Sequence, residues 1–132
     1  MSSYFSGAAN LFREFIGDAC LGKKVVFIPT ASLAQKVTFY VGVEGGNTFF
    51  LLQELKRSGA DKLIVEHINR GKIYIGASAG SMIVSKDIEY AKYMDDPAVA
   101  EDLNNDFSAL SIVDFYIVPH YANFPFKKAA EK

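Results

Sequence analysis

The sequence is short of several residue types. It has no tryptophan, one cysteine and two histidines in 132 residues. A lone Cys20 builds neither a disulfide framework nor a thiolate metal site, and a reducing cytoplasm is the expected compartment. No stretch reaches the apolar length of a membrane span. The start, Met1-Ser2-Ser3-Tyr4-Phe5-Ser6, lacks the basic opening and long apolar run of a signal peptide. Neither charge sign is in excess: 14 Lys and Arg stand against 15 Asp and Glu, interspersed, for a net charge of −1. That balance argues against a nucleic-acid or polyanion partner. There is no Gly-x-Gly-x-x-Gly string and no Walker lysine, which weakens any nucleotide-binding reading.

What is present is enough for a core. Half the residues are apolar, and eleven Phe and seven Tyr supply much of that surface. The length fits one domain, residues 1–132. Leu11, Phe12, Phe15 and Ile16 recur at helical spacing over residues 8–19. Val25-Val26-Phe27-Ile28-Pro29 is a continuous β-branched run, as in a strand buried on both faces. Residues 37–43 read as a strand by composition, or as the end of a helix over 33–40 feeding a shorter strand. A helix is expected over 48–57, with Asn47 as N-cap and Gly59 after its end. Another spans 61–70 and stops at Gly71. His67 lies along that helix on no motif, so it reads as structural or solvated. Residues 85–108 are polar and acidic and read as loop, with one helical turn from Pro97. Residues 110–118 form the last strong strand pattern.

Chemistry concentrates at Gly76-Ala77-Ser78-Ala79-Gly80. An apolar run leads in and a short apolar helix candidate leads out. Strand, Gly-x-Ser-x-Gly, helix is the nucleophile-elbow pattern. The turn must be sharp enough to lift the serine hydroxyl clear, so the flanking positions shrink to glycine. The helix that follows aims free N–H groups at the serine, and the Ala79 amide is placed to stabilise an oxyanion. Upstream, Gly45-Gly46-Asn47 between a strand and a helix is a backbone cradle for an oxyanion or a phosphate. His120 closes the last strand pattern on the sheet edge that also carries Ser78. The two can therefore meet although 42 positions apart, as nucleophile and base. A triad needs an acid. Asp114 shares the His120 strand, but six residues of strand separate them by roughly 20 Å. Asp95 and Asp96, on the loop leaving the elbow helix, are the best candidates, with Asp87 and Glu89 behind them.

Taken together, the chain resembles the dipeptidase E and cyanophycinase family of serine peptidases. The matching pieces are Phe27-Ile28-Pro29-Thr30-Ala31-Ser32, Gly45-Gly46-Asn47-Thr48, Tyr74-Ile75-Gly76-Ala77-Ser78-Ala79-Gly80, and Asp114-Phe115 through Pro119-His120-Tyr121. The resemblance implies an α/β fold: a three-layer sandwich around a mainly parallel sheet, like the class I glutamine amidotransferases and flavodoxin. It implies Ser78 as nucleophile, His120 as base, Asp95 or Asp96 as acid, and the Gly46 and Ala79 amides as the oxyanion hole. The implied substrate is a short peptide with N-terminal aspartate, and no metal or organic cofactor is implied. Family members carry a further strand and helices between the Ile28-Pro29-Thr30 strand and the Gly-Gly-Asn loop, and continue past Pro125-Phe126. Glu44 stands where they usually have a first glycine. Losing a strand exposes apolar faces and sheet edges, for which a homodimer is the expected cover. The alternative reading is a catalytically inactive, shortened α/β homologue that acts as a binding or oligomerisation module.

Overall fold

A computed structural model describes residues 46–72 and 74–121. The helix expected over 8–19, the strands expected at 25–29 and 37–43, Cys20, Glu44 and Gly45 lie outside the described residues.

Helix α1 spans Thr48–Ser58 and α2 spans Ala60–Asn69. Asn47 sits in extended backbone, and its side-chain Oδ1 accepts the Phe49 and Phe50 amides, each at 3.0 Å. Two of the amides that a helix start leaves without partners are thereby satisfied. Lys56 and Arg57 occupy the last turn of α1, where cations meet the negative end of the helix dipole. Gly59 ends α1 at φ 75° and starts α2 at once. A Cβ at Gly59 would meet nothing within 4 Å, so the backbone angle, not space, calls for glycine there.

The two helices differ in depth. Thr48, Phe49, Leu51, Leu52, Gln53 and Leu55 of α1 are buried. No residue of α2 is fully buried, although Ile64 and Val65 pack against the core from its edge. α1 is thus the centre of the described core and α2 its cover.

The other side of that core comes from the acidic stretch. Residues 85–108 contain three 3-10 turns, Glu89–Tyr93, Pro97–Val99 and Glu101–Leu103. Asp96 caps the second by accepting the Ala98 amide at 2.9 Å. Between the charges, Ile88, Ala91, Ala100, Leu103 and Phe107 point inward. Phe107 meets Phe49 edge to face with ring centroids 4.9 Å apart. Polar ties fasten the stretch to α1: Gln53 Oε1 accepts the Asp102 amide at 3.0 Å, and Lys56 pairs with Asp106 at 3.2 Å. Hydrogen bonds from Ser108, then the Lys56 ammonium, hold the Asp106 carboxyl down to about 2.

Residues 110–118 do not form the expected strand. The amides of Ala109, Leu110, Ser111, Ile112 and Val113 all go to carbonyls of Ile83, Val84, Ser85 and Lys86. Ser111 takes φ 52°, and bends follow at 113–115. A left-handed residue interrupts the pleat, and amides already bonded to a loop have none left for a ladder. The described residues carry single bridges, at Gly76 and between Asp87 and Ser108, and no strand ladder.

Truncating Phe107 removes a ring that is 6% exposed. Phe107→Ala is expected to cost about 3–5 kcal/mol in urea unfolding. Leu63→Ala, at a side chain 66% exposed, should cost under about 0.5 kcal/mol. Equal costs would place the acidic stretch outside the core.

Candidate active site

Ser78 lies at φ 50° and ψ −120°, immediately before the four-residue helix α3, Ala79–Met82. A non-glycine residue at positive φ costs about 1–3 kcal/mol and persists only where its surroundings enforce it. Here they do. The Ser78 carbonyl accepts the Ser81 amide at 2.9 Å, the Met82 amide at 3.2 Å and the Ser81 hydroxyl at 2.6 Å. Gly80 donates its amide to Ala77 O at 2.9 Å, and its carbonyl accepts the Tyr74 hydroxyl at 2.7 Å. Burial pushes the Tyr74 phenol far above its ordinary range, so it stays protonated and donating.

Close approach explains the first glycine. A Cβ on Gly76 would strike the Gly80 carbonyl oxygen, and would come within 2.6 Å of its carbon and 2.8 Å of Tyr74 Cε1. The glycine pair around Ser78 is therefore a packed contact between the backbones on either side of the turn.

The Ser78 side chain makes no capping bond to its own helix. Its Oγ instead lies 3.0 Å from His120 Nε2. His120 sits in the turn 119–121, also at positive φ, 60°. The segment entering that turn is pinned from the 87–90 region. The Tyr90 hydroxyl donates to Ile117 O at 2.8 Å, and the Tyr116 hydroxyl donates to Asp87 Oδ2 at 2.7 Å. The two tyrosine rings meet edge to face at 5.1 Å. Ser78 is partly buried and His120 is exposed, so the pair is open to solvent on the histidine side.

The acids considered from the sequence have the following places. Asp95 Oδ2 accepts the Thr48 amide at 2.8 Å and the Thr48 hydroxyl at 2.5 Å. Asp96 holds Ala98 with its carboxylate, and its backbone carbonyl accepts Asn47 Nδ2 at 2.7 Å. Asp87 is bonded to Tyr116 and to the Glu89 amide, and Glu89 pairs with Lys92 at 2.6 Å. Asp114 is exposed. His67 is exposed in the last turn of α2.

The first three amides of α1 are all engaged: Thr48 by Asp95, Phe49 and Phe50 by Asn47. A carboxylate already occupies the positive end of this helix, which leaves it a poor phosphate cradle. Among the described residues, no three His, Cys, Asp or Glu side chains are grouped to hold a metal ion, and no helix is long and apolar enough to cross a membrane.

The sequence profile of peptidase family S51 matches residues 40–132. The uncharacterized peptidase PM1590 of Pasteurella multocida is 43% identical over 169 aligned positions, covering all of this chain and 81% of its own. The chain belongs to peptidase family S51. The uncharacterized peptidase Lin0382 of Listeria innocua is 44% identical over the same length, covering all of this chain and 80% of its own. Peptidase E of Shewanella sp. ANA-3 is 42% identical over 82 residues, 62% of this chain and 33% of its own. A 1.5 Å crystal structure of a protein from Listeria monocytogenes EGD-e assigned to peptidase E superposes with a TM-score of 0.82 at 42% identity. That match covers 98% of this chain and 82% of the Listeria one. The 169 positions aligned to PM1590 exceed the 132 residues of this chain, so the S51 relative carries residues inside the span that this chain lacks.

The Ser78 motif and His120 stood out from spacing. The supports did not: Thr48, Tyr74, Tyr90 and Tyr116 are ordinary polar residues until the fold sets them against Asp95, Gly80, Ile117 and Asp87. The one signal available was Tyr74, two residues before the Gly76 that it packs against.

The backbone contact at Gly76 predicts a steep response. Gly76→Ala should destabilise the protein by about 1–3 kcal/mol, with loss of the Ser78 turn. Thermal unfolding tests the first effect, and the NMR shift of Ser78 the second. A wild-type melting curve would show that the turn has room to spare.

Proposed function

We propose that this S51 member is a serine-type peptidase acting on short peptides with an N-terminal aspartate. The observation that carries the reading is the 3.0 Å contact between Ser78 Oγ and His120 Nε2, with Ser78 at φ 50°. A hydroxyl is a weak nucleophile until a base within hydrogen-bond reach takes its proton. Ser78 Oγ attacks the scissile carbonyl carbon while His120 Nε2 accepts the hydroxyl proton. The carbonyl oxygen gathers negative charge, and the Gly46 and Ala79 amides donate to it. Collapse breaks the C–N bond, and His120 returns the proton to the leaving amine. Water then attacks the acyl carbon as His120 takes one of its protons, the bond to Ser78 Oγ breaks, and His120 returns the proton to Ser78 Oγ. No step draws on a metal or organic cofactor.

Aspartate specificity rests on the resemblance of the chain's motifs to the dipeptidase E family. The fold proposed around the site is the three-layer α/β sandwich with a mainly parallel sheet. In that arrangement Ser78 and His120 emerge at the edge where the carboxyl ends of strands gather and ligands bind.

The test is hydrolysis of an aspartyl p-nitroanilide by the purified chain. Ser78→Ala and His120→Ala should each lower kcat/KM by about 10⁴-fold or more, with folding intact by circular dichroism. Turnover that survives both substitutions, or a folded wild type with none, would overturn the peptidase reading and leave a non-catalytic module.

A further inference from the structure

A second constellation stands beside the serine and histidine, and the chemistry above does not use it. Asp95 Oδ2 takes both donors of one residue, the amide and hydroxyl of Thr48. The next residue, Asp96, takes the side-chain amide of Asn47 on its carbonyl. Two consecutive residues of one loop thus grip two consecutive residues of another. Helix α1 does not need this grip to start, because Asn47 already caps it through two amides.

The gripped residues are informative. Gly46, whose amide is the proposed oxyanion donor, is bonded covalently to Asn47, so holding Asn47 and Thr48 anchors the end of the loop that carries that amide. Thr48 is 1% exposed, and its hydroxyl also touches Met82 Sδ at 3.6 Å, on the helix that follows Ser78. The Asp95 loop is itself anchored: its amide donates to Ala91 O at 2.8 Å, in the 3-10 turn whose Tyr90 holds Ile117. The chain of contacts therefore runs from the Gly46 loop to the serine helix on one side and to the histidine turn on the other.

We propose that Asp95 is a positioning residue: acting through Thr48, it anchors the loop end at Asn47 so that the Gly46 amide meets the developing oxyanion. This rests on the peptidase reading above. Oxyanion donors matter in the transition state and little in substrate binding, so the clamp should act on kcat and leave KM alone. A misplacement of about 1 Å costs roughly 100-fold.

The experiment compares Asp95→Asn, Thr48→Val, their double variant and Thr48→Ser on the aspartyl p-nitroanilide, with Ser78→Ala alongside. Rates are expressed per folded molecule, and kcat/KM is followed across pH. Asp95→Asn and Thr48→Val are expected to lower kcat by about 100-fold with KM within about twofold of wild type. The double variant should be little worse than either single one, because both weaken the same contact. Thr48→Ser, which keeps the hydroxyl donor, should retain most of the wild-type rate. The shape of the pH profile should not change. A silent Thr48→Val beside an Asp95→Asn that reshapes the pH profile would overturn the clamp and make Asp95 the partner of His120. Losses that vanish once rates are counted per folded molecule would also overturn it, reducing the contact to a stabilising one. If Ser78→Ala is inactive and the clamp variants are like wild type, the clamp alone fails. If Ser78→Ala turns over like wild type, or wild type does not turn over, the peptidase reading itself has failed.

Discussion

The geometry of the site depends on one tight passage of backbone. Gly76 and Gly80 approach so closely that a single methyl group on Gly76 would strike the Gly80 carbonyl. That approach holds Ser78 at an angle an L-residue disfavours. Every nearby bond can be understood as bracing that turn. Three donors crowd the Ser78 carbonyl, and Tyr74 fastens Gly80 from behind with a phenol that burial keeps protonated. With its main chain immobilised and its side chain released from helix capping, Ser78 has its hydroxyl directed to His120.

The strain is borne by a core that sits mostly on one helix. α1 packs in one core with α3 and the acidic stretch, alongside Met82 and Ile83 and Leu103 and Phe107. Its N-terminus is also where the Asp95 loop is fastened. One element thus joins the hydrophobic interior to the loop proposed to stabilise charge, so packing faults in α1 should propagate to the site.

How much of this the sequence discloses depends on whether the signal is local. The Asn47 cap and the glycine stops at Gly59 and Gly71 follow from single-residue conformational limits, and they stand where the pattern puts them. Gly76 and Ser78 are legible for the same reason: a turn that sharp admits few residue types. In the stretch 85–108 the helical turn from Pro97 is legible and stands at Pro97–Val99, but the buried residues are not, because its composition is averaged over charges that face water while Ile88, Ala91, Ala100, Leu103 and Phe107 turn in. Its 3-10 turns lack the periodicity that marks longer elements. Residues 110–118 mislead for the opposite reason: a β-branched run says nothing about whether its amides will find a strand or, as here for 109–113, a loop. Asp95 could be ranked by reach alone. Its bond to Thr48 spans 47 positions and leaves no trace in the spacing.

The central claim is that Ser78, turned out by its backbone and bonded to His120, is an activated nucleophile. The most direct test is covalent: incubation of the intact chain with a fluorophosphonate, then peptide mass spectrometry to locate the adduct. The account predicts one phosphonyl group per chain, on Ser78, formed at a rate that collapses in His120→Ala while Ser81 and Ser85 stay unlabelled. No adduct on Ser78, or labelling that proceeds equally well without the His120 imidazole, would contradict it.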